Sequence, residues 1–136
     1  MREAREVLEH SATIAVVGAS RHTHKAAHSV PAQMQRHGWR IIPVNPAVTE
    51  LFGERAYASL GDITERVDLV NVFRPAREAL EVVRQAIAIG APAVWLQLGI
   101  ASPQARQLAE QAGLDYVEDR CIAVERAIDG LTRLRV

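Results

Sequence analysis

The chain is short of cysteine, of net charge and of long apolar runs. Cys121 stands alone among 136 residues, so no intrachain disulfide can form and no multi-cysteine zinc site can be assembled. Sixteen basic residues balance sixteen acidic ones. Nucleic-acid binders usually carry a clustered basic excess, and the overall balance offers none. That argues against a nucleic-acid partner, although net charge leaves a local anion site open. No apolar run approaches the roughly 18 residues that a membrane-spanning helix needs, which argues against a membrane partner. Met1-Arg2-Glu3-Ala4-Arg5-Glu6 is too charged for a signal peptide. Together these absences describe a soluble chain whose simplest compartment is the cytoplasm.

What the chain does have is core material in a repeating order. At 49% hydrophobic residues it can build a core unaided, as one domain spanning residues 1–136. A folded monomer of this mass exposes roughly 7,000 Å². Thr13-Ile14-Ala15-Val16-Val17 is a β-branched run that reads as a strand buried on both faces, and it stops at Gly18-Ala19-Ser20. Ser29 then caps a helix with Pro31 in its first turn and Val30 and Met34 on one face, ended by Gly38. Arg40-Ile41-Ile42-Pro43-Val44 is the second strand; Pro43 cannot donate to a ladder, so it belongs near a strand end or where one side is unpaired. An irregular stretch follows Asn45-Pro46 and holds Leu51, Phe52, Tyr57 and Leu60. Val67 to Phe73 is the third strand, Ala76 to Ile89 a helix with Leu80, Val83 and Ile87 at helical spacing, and Ala93 to Leu96 the fourth strand. Ser102-Pro103 opens the next helix, Asp115 to Glu118 is the fifth strand, and Cys121 to Ala127 a short last helix. A further helix precedes His10. Strands alternating with helices imply βαβ units, hence an α/β Rossmann-like fold with a five-stranded parallel sheet and helices on both faces. Counting strands along the chain, the expected order is 3-2-1-4-5.

In such sheets ligands sit beyond the carboxyl ends of the strands where the order reverses, here between strands one and four. The loops facing that crevice are Gly18-Ala19-Ser20, Asn45-Pro46, Phe73-Arg74-Pro75 and Gln97-Leu98-Gly99. Gly18 allows close backbone approach, so a Cβ there is expected to obstruct the ligand while the chain still folds. Ser20 supplies a hydroxyl, the next helix turns free N–H groups to the loop, and Arg21, His22, His24, Lys25 and His28 add cations and potential cations. A phosphate-bearing ligand suits this set; the plainer alternative is a βα turn beside solvated histidines. The dinucleotide fingerprint fails, with Ser20 and Thr23 where glycines belong and Val44-Asn45-Pro46 offering no acid to the ribose. The Walker pattern fails too, because Ala26 follows Lys25.

Five strings in order, Ile14 to Ser20, Pro43-Val44-Asn45-Pro46, Val67 to Arg74, Val94 to Ile100 and Asp119-Arg120-Cys121, resemble the small single-domain CoA-binding proteins. These are relatives of the N-terminal CoA-binding domain in the succinyl-CoA synthetase alpha subunit. The resemblance runs from about Ala12 to Glu125 and implies a single CoA-binding domain. It implies that Gly18, Ala19, Ser20, Lys25 and His28 face the phosphates of coenzyme A. It further implies that Val44, Asn45, Pro46, Phe73, Arg74 and Pro75 enclose the adenosine and the start of the pantetheine arm, and that Gln97, Gly99 and Ile100 guide the arm onward.

Such a chain is expected to bind CoA or acyl-CoA without turnover of its own. The synthetase relatives use a phosphohistidine on a second domain, and all five histidines here lie at or before His37. The alternatives are an NAD(P)- or other nucleotide-dependent oxidoreductase, and an accessory or sensor subunit of a larger enzyme. No G-x-S-x-G elbow surrounds Ser20. Cys121 reads as a small core residue, with a reactive thiol beside Arg120 as the alternative. His22, His24 and His28 lack a neighbouring carboxylate or cysteine, so no metal is expected. Trp39 and Trp95 either fill the core or mark a dimer surface, and the protein partners left open are a second copy of the chain or a separate catalytic subunit.

Overall fold

A computed structural model describes residues 1–134. Helix α1 (Ala4–Glu9) leads into β1 (Thr13–Val17), α2 (Ala26–Arg36) and β2 (Arg40–Val44). The connection after β2 holds two short strands, β3 (Glu50–Leu51) and β4 (Glu54–Arg55), and a 3-10 turn at Leu60–Asp62. Strands β5 (Leu69–Val72), β6 (Ala93–Leu96) and β7 (Asp115–Val117) then alternate with α3 (Ala76–Ala88), α4 (Pro103–Gln111) and α5 (Ile122–Ile128). Apart from the β3–β4 hairpin, all pairing is parallel. The fold is the expected α/β Rossmann-like one.

The strand order differs from expectation. The sheet runs β2-β1-β5-β6-β7, which is 2-1-3-4-5 and not 3-2-1-4-5. Proline explains why. The Pro43 carbonyl accepts the Tyr57 N–H at 3.0 Å on the side of β2 away from β1. A residue's N and C=O face the same side of a strand, so the N–H that Pro43 lacks falls on that outer side too. A full strand docked there would lose a ladder bond. Tyr57 instead closes the edge with a single bridge, and β5 goes to the other side of β1. There Asp68 fixes it: its Oδ2 accepts the N–H groups of Ala12 and Thr13, each at 3.0 Å.

Alternating strand residues divide the core into two layers. Ala15, Val70, Val72, Val94 and Leu96 pack with Ala79, Val82, Val83 and Ala86 of α3 and with Ala105 and Ala109 of α4. Ile14, Val16, Leu69 and Trp95 pack on the other face with Val7 and Leu8, Val30 and Met34, and Ile122. Both tryptophans are buried, which removes them from the outer surface, and Cys121 is a half-buried neighbour of the second layer. On α3 the buried face is centred one residue from the expected one, leaving Leu80 and Ile87 only half-buried.

Helix α2 starts earlier than expected. Its N-cap is Lys25, not Ser29, so Pro31 sits inside the helix and not in its first turn. The α4 cap is as expected, with Ser102 Oγ accepting the Ala105 N–H at 3.1 Å. The hairpin was not legible as such: Phe52 and Gly53 both take positive φ, as the tightest two-residue hairpin turn requires. It is tethered to α2, since Gln35 Nε2 donates to the Phe52 carbonyl at 2.8 Å.

Candidate functional site

The new strand order moves the reversal point to the gap between the carboxyl ends of β1 and β5. A cleft of about 830 Å³ lies there, within the usual size of a small-molecule site. Of the residues expected at a ligand, Gly18, Ala19, Ser20, Lys25, Val44, Asn45, Pro46, Phe73 and Arg74 line it. Because β5 neighbours β1, the first turns of α3 also overhang it. Arg77, Glu78, Glu81 and Gln85 are therefore lining residues that sequence reasoning missed. The signal was present in the edge-strand proline, which excludes the order that hid α3.

The first loop is held from several sides. Gly18 N–H donates to the Val44 carbonyl at 3.1 Å, and Ser20 N–H to the Ala27 carbonyl at 3.0 Å. Asn45 Nδ2 donates to the Ala19 carbonyl at 2.8 Å, while Asn45 Oδ1 accepts the Ala47 N–H at 2.7 Å. Asn45 is thus engaged at both ends of its amide. His28 lies behind the loop, outside the lining. Its Nδ1 carries the proton that donates to the Ser20 carbonyl at 2.7 Å, and its ring packs on Phe52 with centroids 4.9 Å apart. Ser20 Oγ accepts the His22 N–H at 3.0 Å. Of Ser20's two donors, the N–H is committed to Ala27 and the hydroxyl proton is what remains to offer an anion.

Gly18 answers a different need from the expected one. Its φ is +88°, and a Cβ built on it would stand 2.8 Å from both the Phe73 carbonyl oxygen and Arg74 Cδ. The glycine lets the β1 and β5 loops touch. A side chain there strains the fold itself, which corrects the expectation that substitution would leave folding intact.

The cleft's charge is mixed but leans positive, with Lys25, Arg74 and Arg77 against Glu78 and Glu81. Arg74 grips Glu78 through Nε (3.2 Å) and Nη2 (2.9 Å), and this bond holds the Glu78 carboxyl below its ordinary value. Glu81 Oε2 accepts from Arg84 at 3.3 Å. Lys25 and Arg77 form no ion pair among the described residues, so they are the cations most available to an anion. Val17, Val44, Phe73 and Val82 supply apolar wall. A second concavity of about 560 Å³ beside α1 is lined by charges of both signs, Arg2, Arg5, Glu118 and Glu125 among them, which gives an anion no such bias.

Four expected site residues lie outside the cleft lining besides His28. Pro75 is the N-cap of α3, next to Arg74. Gln97 is buried, and its Oε1 accepts the Ile122 N–H at 2.9 Å and Asn71 Nδ2 at 3.3 Å, which pins α5 to the sheet. Gly99 takes φ +86° and donates its N–H to Asp119 Oδ1 at 2.7 Å, and Asp119 N–H returns a bond to the Ile100 carbonyl at 3.1 Å. The 97–100 loop is therefore clamped to the 119–121 loop, although a Cβ on Gly99 would meet only open space.

No helix among the described residues is long and apolar enough to cross a membrane. The uncharacterised protein YneT of Bacillus subtilis is 37% identical over 126 residues, covering 93% of each chain. A solved Thermus thermophilus structure, cell-free ID.343, superposes with a TM-score of 0.87 at 40% identity, covering 91% of this chain and 94% of that one. The ADP-forming acetate–CoA ligase of Methanocaldococcus jannaschii is 29% identical over 63 residues, which is 46% of this chain and 9% of the ligase. The CoA binding domain family matches residues 12–127, and with nearly the whole chain inside that match, this chain belongs to the CoA-binding domain family.

Proposed function

We propose that the cleft between the ends of β1 and β5 binds coenzyme A or an acyl-CoA, and that the chain does so without turnover of its own. The observation that carries this reading is the meeting in one cleft of two cations that form no ion pair among the described residues, Lys25 and Arg77, with a hydrogen-bonded glycine loop and an apolar wall. CoA needs cations and N–H donors for its phosphates and apolar contact for adenine and the pantetheine methyl groups. Lys25, Arg77 and Arg74 would serve the phosphates, with the Ser20 hydroxyl beside them. Val44, Pro46 and Phe73 would flank the adenosine. Arg74 must share or leave Glu78 to take part.

The oxidoreductase alternative is weaker on the same residues. A nicotinamide dinucleotide would look for a carboxylate at the end of β2, and Asn45 stands there with its amide already committed to Ala19 and Ala47. The accessory reading, in which the chain lends bound CoA to a separate catalytic subunit, draws on the partial match to the ligase. Native mass spectrometry of freshly purified protein tests the proposal. The expected result is co-purifying CoA or acyl-CoA, removed by Arg77→Ala with Lys25→Ala; a retained nicotinamide or flavin would contradict it.

A further inference from the structure

We propose that Pro31 is a positioning residue of the cleft: because it has no N–H, it leaves the Ala27 carbonyl to Ser20 and so sets the conformation of the first loop. The geometry stands on backbone hydrogen bonding alone, and the consequence for ligand rests on the proposed CoA site.

In an α-helix the N–H of residue 31 would donate to the carbonyl of residue 27. Pro31 lies within α2, so this bond is missing from the helix that follows the loop. The proline ring also crowds the carbonyl four residues back and turns it away from the helix axis. A proline at such a place weakens a helix, and an ordinary sequence would avoid it. Here the carbonyl that Pro31 leaves is the one that accepts the Ser20 N–H at 3.0 Å. Ser20 is thereby anchored to α2 through its N–H, and by His28 Nδ1 through its carbonyl at 2.7 Å. Ala19, one residue before, is anchored through its carbonyl by Asn45. These bonds draw the loop's polar backbone groups toward the protein at residues 19 and 20. What Ser20 then presents to the cleft is its hydroxyl and not its amide.

The test compares Pro31→Ala with the ester analogue of alanine, lactic acid, placed at position 31. Alanine restores the N–H; the ester has neither ring nor N–H. Exchange of the Ser20 amide, followed by NMR without ligand, reads the anchor directly, and calorimetry with CoA reads its consequence. Pro31→Ala is expected to keep or raise Tm, because alanine is the best helix former. Its Ser20 amide should exchange about tenfold faster and CoA should bind about tenfold more weakly, the scale of one lost hydrogen bond. The ester should return both toward the unsubstituted values. A carbonyl has two lone pairs, so Ala27 retaining both donors, seen as unchanged Ser20 exchange in Pro31→Ala, would overturn the proposal. Faster exchange with unchanged CoA affinity would overturn it as well. An unsubstituted protein that fails to bind CoA would instead sink the proposed function, while the exchange data still judge the anchor.

Discussion

At Gly18 the backbone takes φ +88°, and any Cβ would press on the Phe73 carbonyl from 2.8 Å. The left-handed conformation alone costs a non-glycine residue about 1–2 kcal/mol, and the contact adds to it. Gly18→Ala should therefore lower Tm by several degrees and Gly18→Val by more, read by circular dichroism; an unchanged Tm for Gly18→Val would show that the loop contact is misplaced. Arg74 is tied to Glu78 on one side and open to the cleft on the other. If it serves a phosphate, Arg74→Ala should weaken CoA about ten- to a hundredfold, since hydrogen bonds to charged groups contribute roughly 1.5–3 kcal/mol. Glu78→Gln should tighten CoA by releasing Arg74 and removing a negative charge. The pair also has a pH signature. Glu78 is held below its ordinary value of 4.5, so its interaction with Arg74 is present above that value and is lost as the pH falls through the lowered one. An NMR titration of the Glu78 carboxyl should show a midpoint below 4.5 that rises in Arg74→Ala.

Elements were legible where one signal dominated. Thr13 to Val17, Arg40 to Val44 and Ala93 to Leu96 are apolar runs too short for helices, and each is a strand at the expected bounds. Ser102-Pro103 announced α4 because a cap and a first-turn proline coincide there. Helix α2 starts before the point that a first-turn Pro31 implies, because the bond Pro31 lacks is replaced from outside the helix by Ser20. The hairpin escaped notice since each of its strands has two residues, too few for any period. Strand order was wrong although Pro43 held the answer: a proline whose missing donor faces outward belongs to an edge strand, and β2 as an edge forbids 3-2-1. With the order went the reversal point, and with that the α3 residues of the cleft; the loop residues after β1, β2 and β5 still meet at the cleft because both orders bring those strand ends together. At the opposite end of the sheet, Asp68 holds β5 to β1 by accepting two backbone N–H groups. Asp68→Ala leaves those donors without it and should cost about 1–3 kcal/mol in urea unfolding. CoA affinity should stay as it was, because the cleft is at the other end of the strands.

As a whole molecule the chain exposes 7186 Å², close to the roughly 7,000 Å² expected of a folded chain of this mass. Tyr116 belongs to the core, and burial, reinforced by Glu118, pushes its phenol above the ordinary value of 10.0. The folded state keeps this proton while the unfolded chain gives it up, so the stability it supports is full below pH 10.0 and declines as the pH rises through the raised value. Tyr116→Phe should flatten the alkaline end of the stability profile, and equal slopes above that pH would contradict the assignment. Ligand choice belongs to the whole fold: a Rossmann-like sheet whose first loop lacks the dinucleotide glycines, whose second strand ends without an acid, and whose cleft gathers Lys25, Arg74 and Arg77. Calorimetric titration of the same preparation with CoA and with NAD tests it most directly. CoA is expected to saturate one site per chain with no heat from NAD; NAD binding more tightly than CoA would contradict the proposed function.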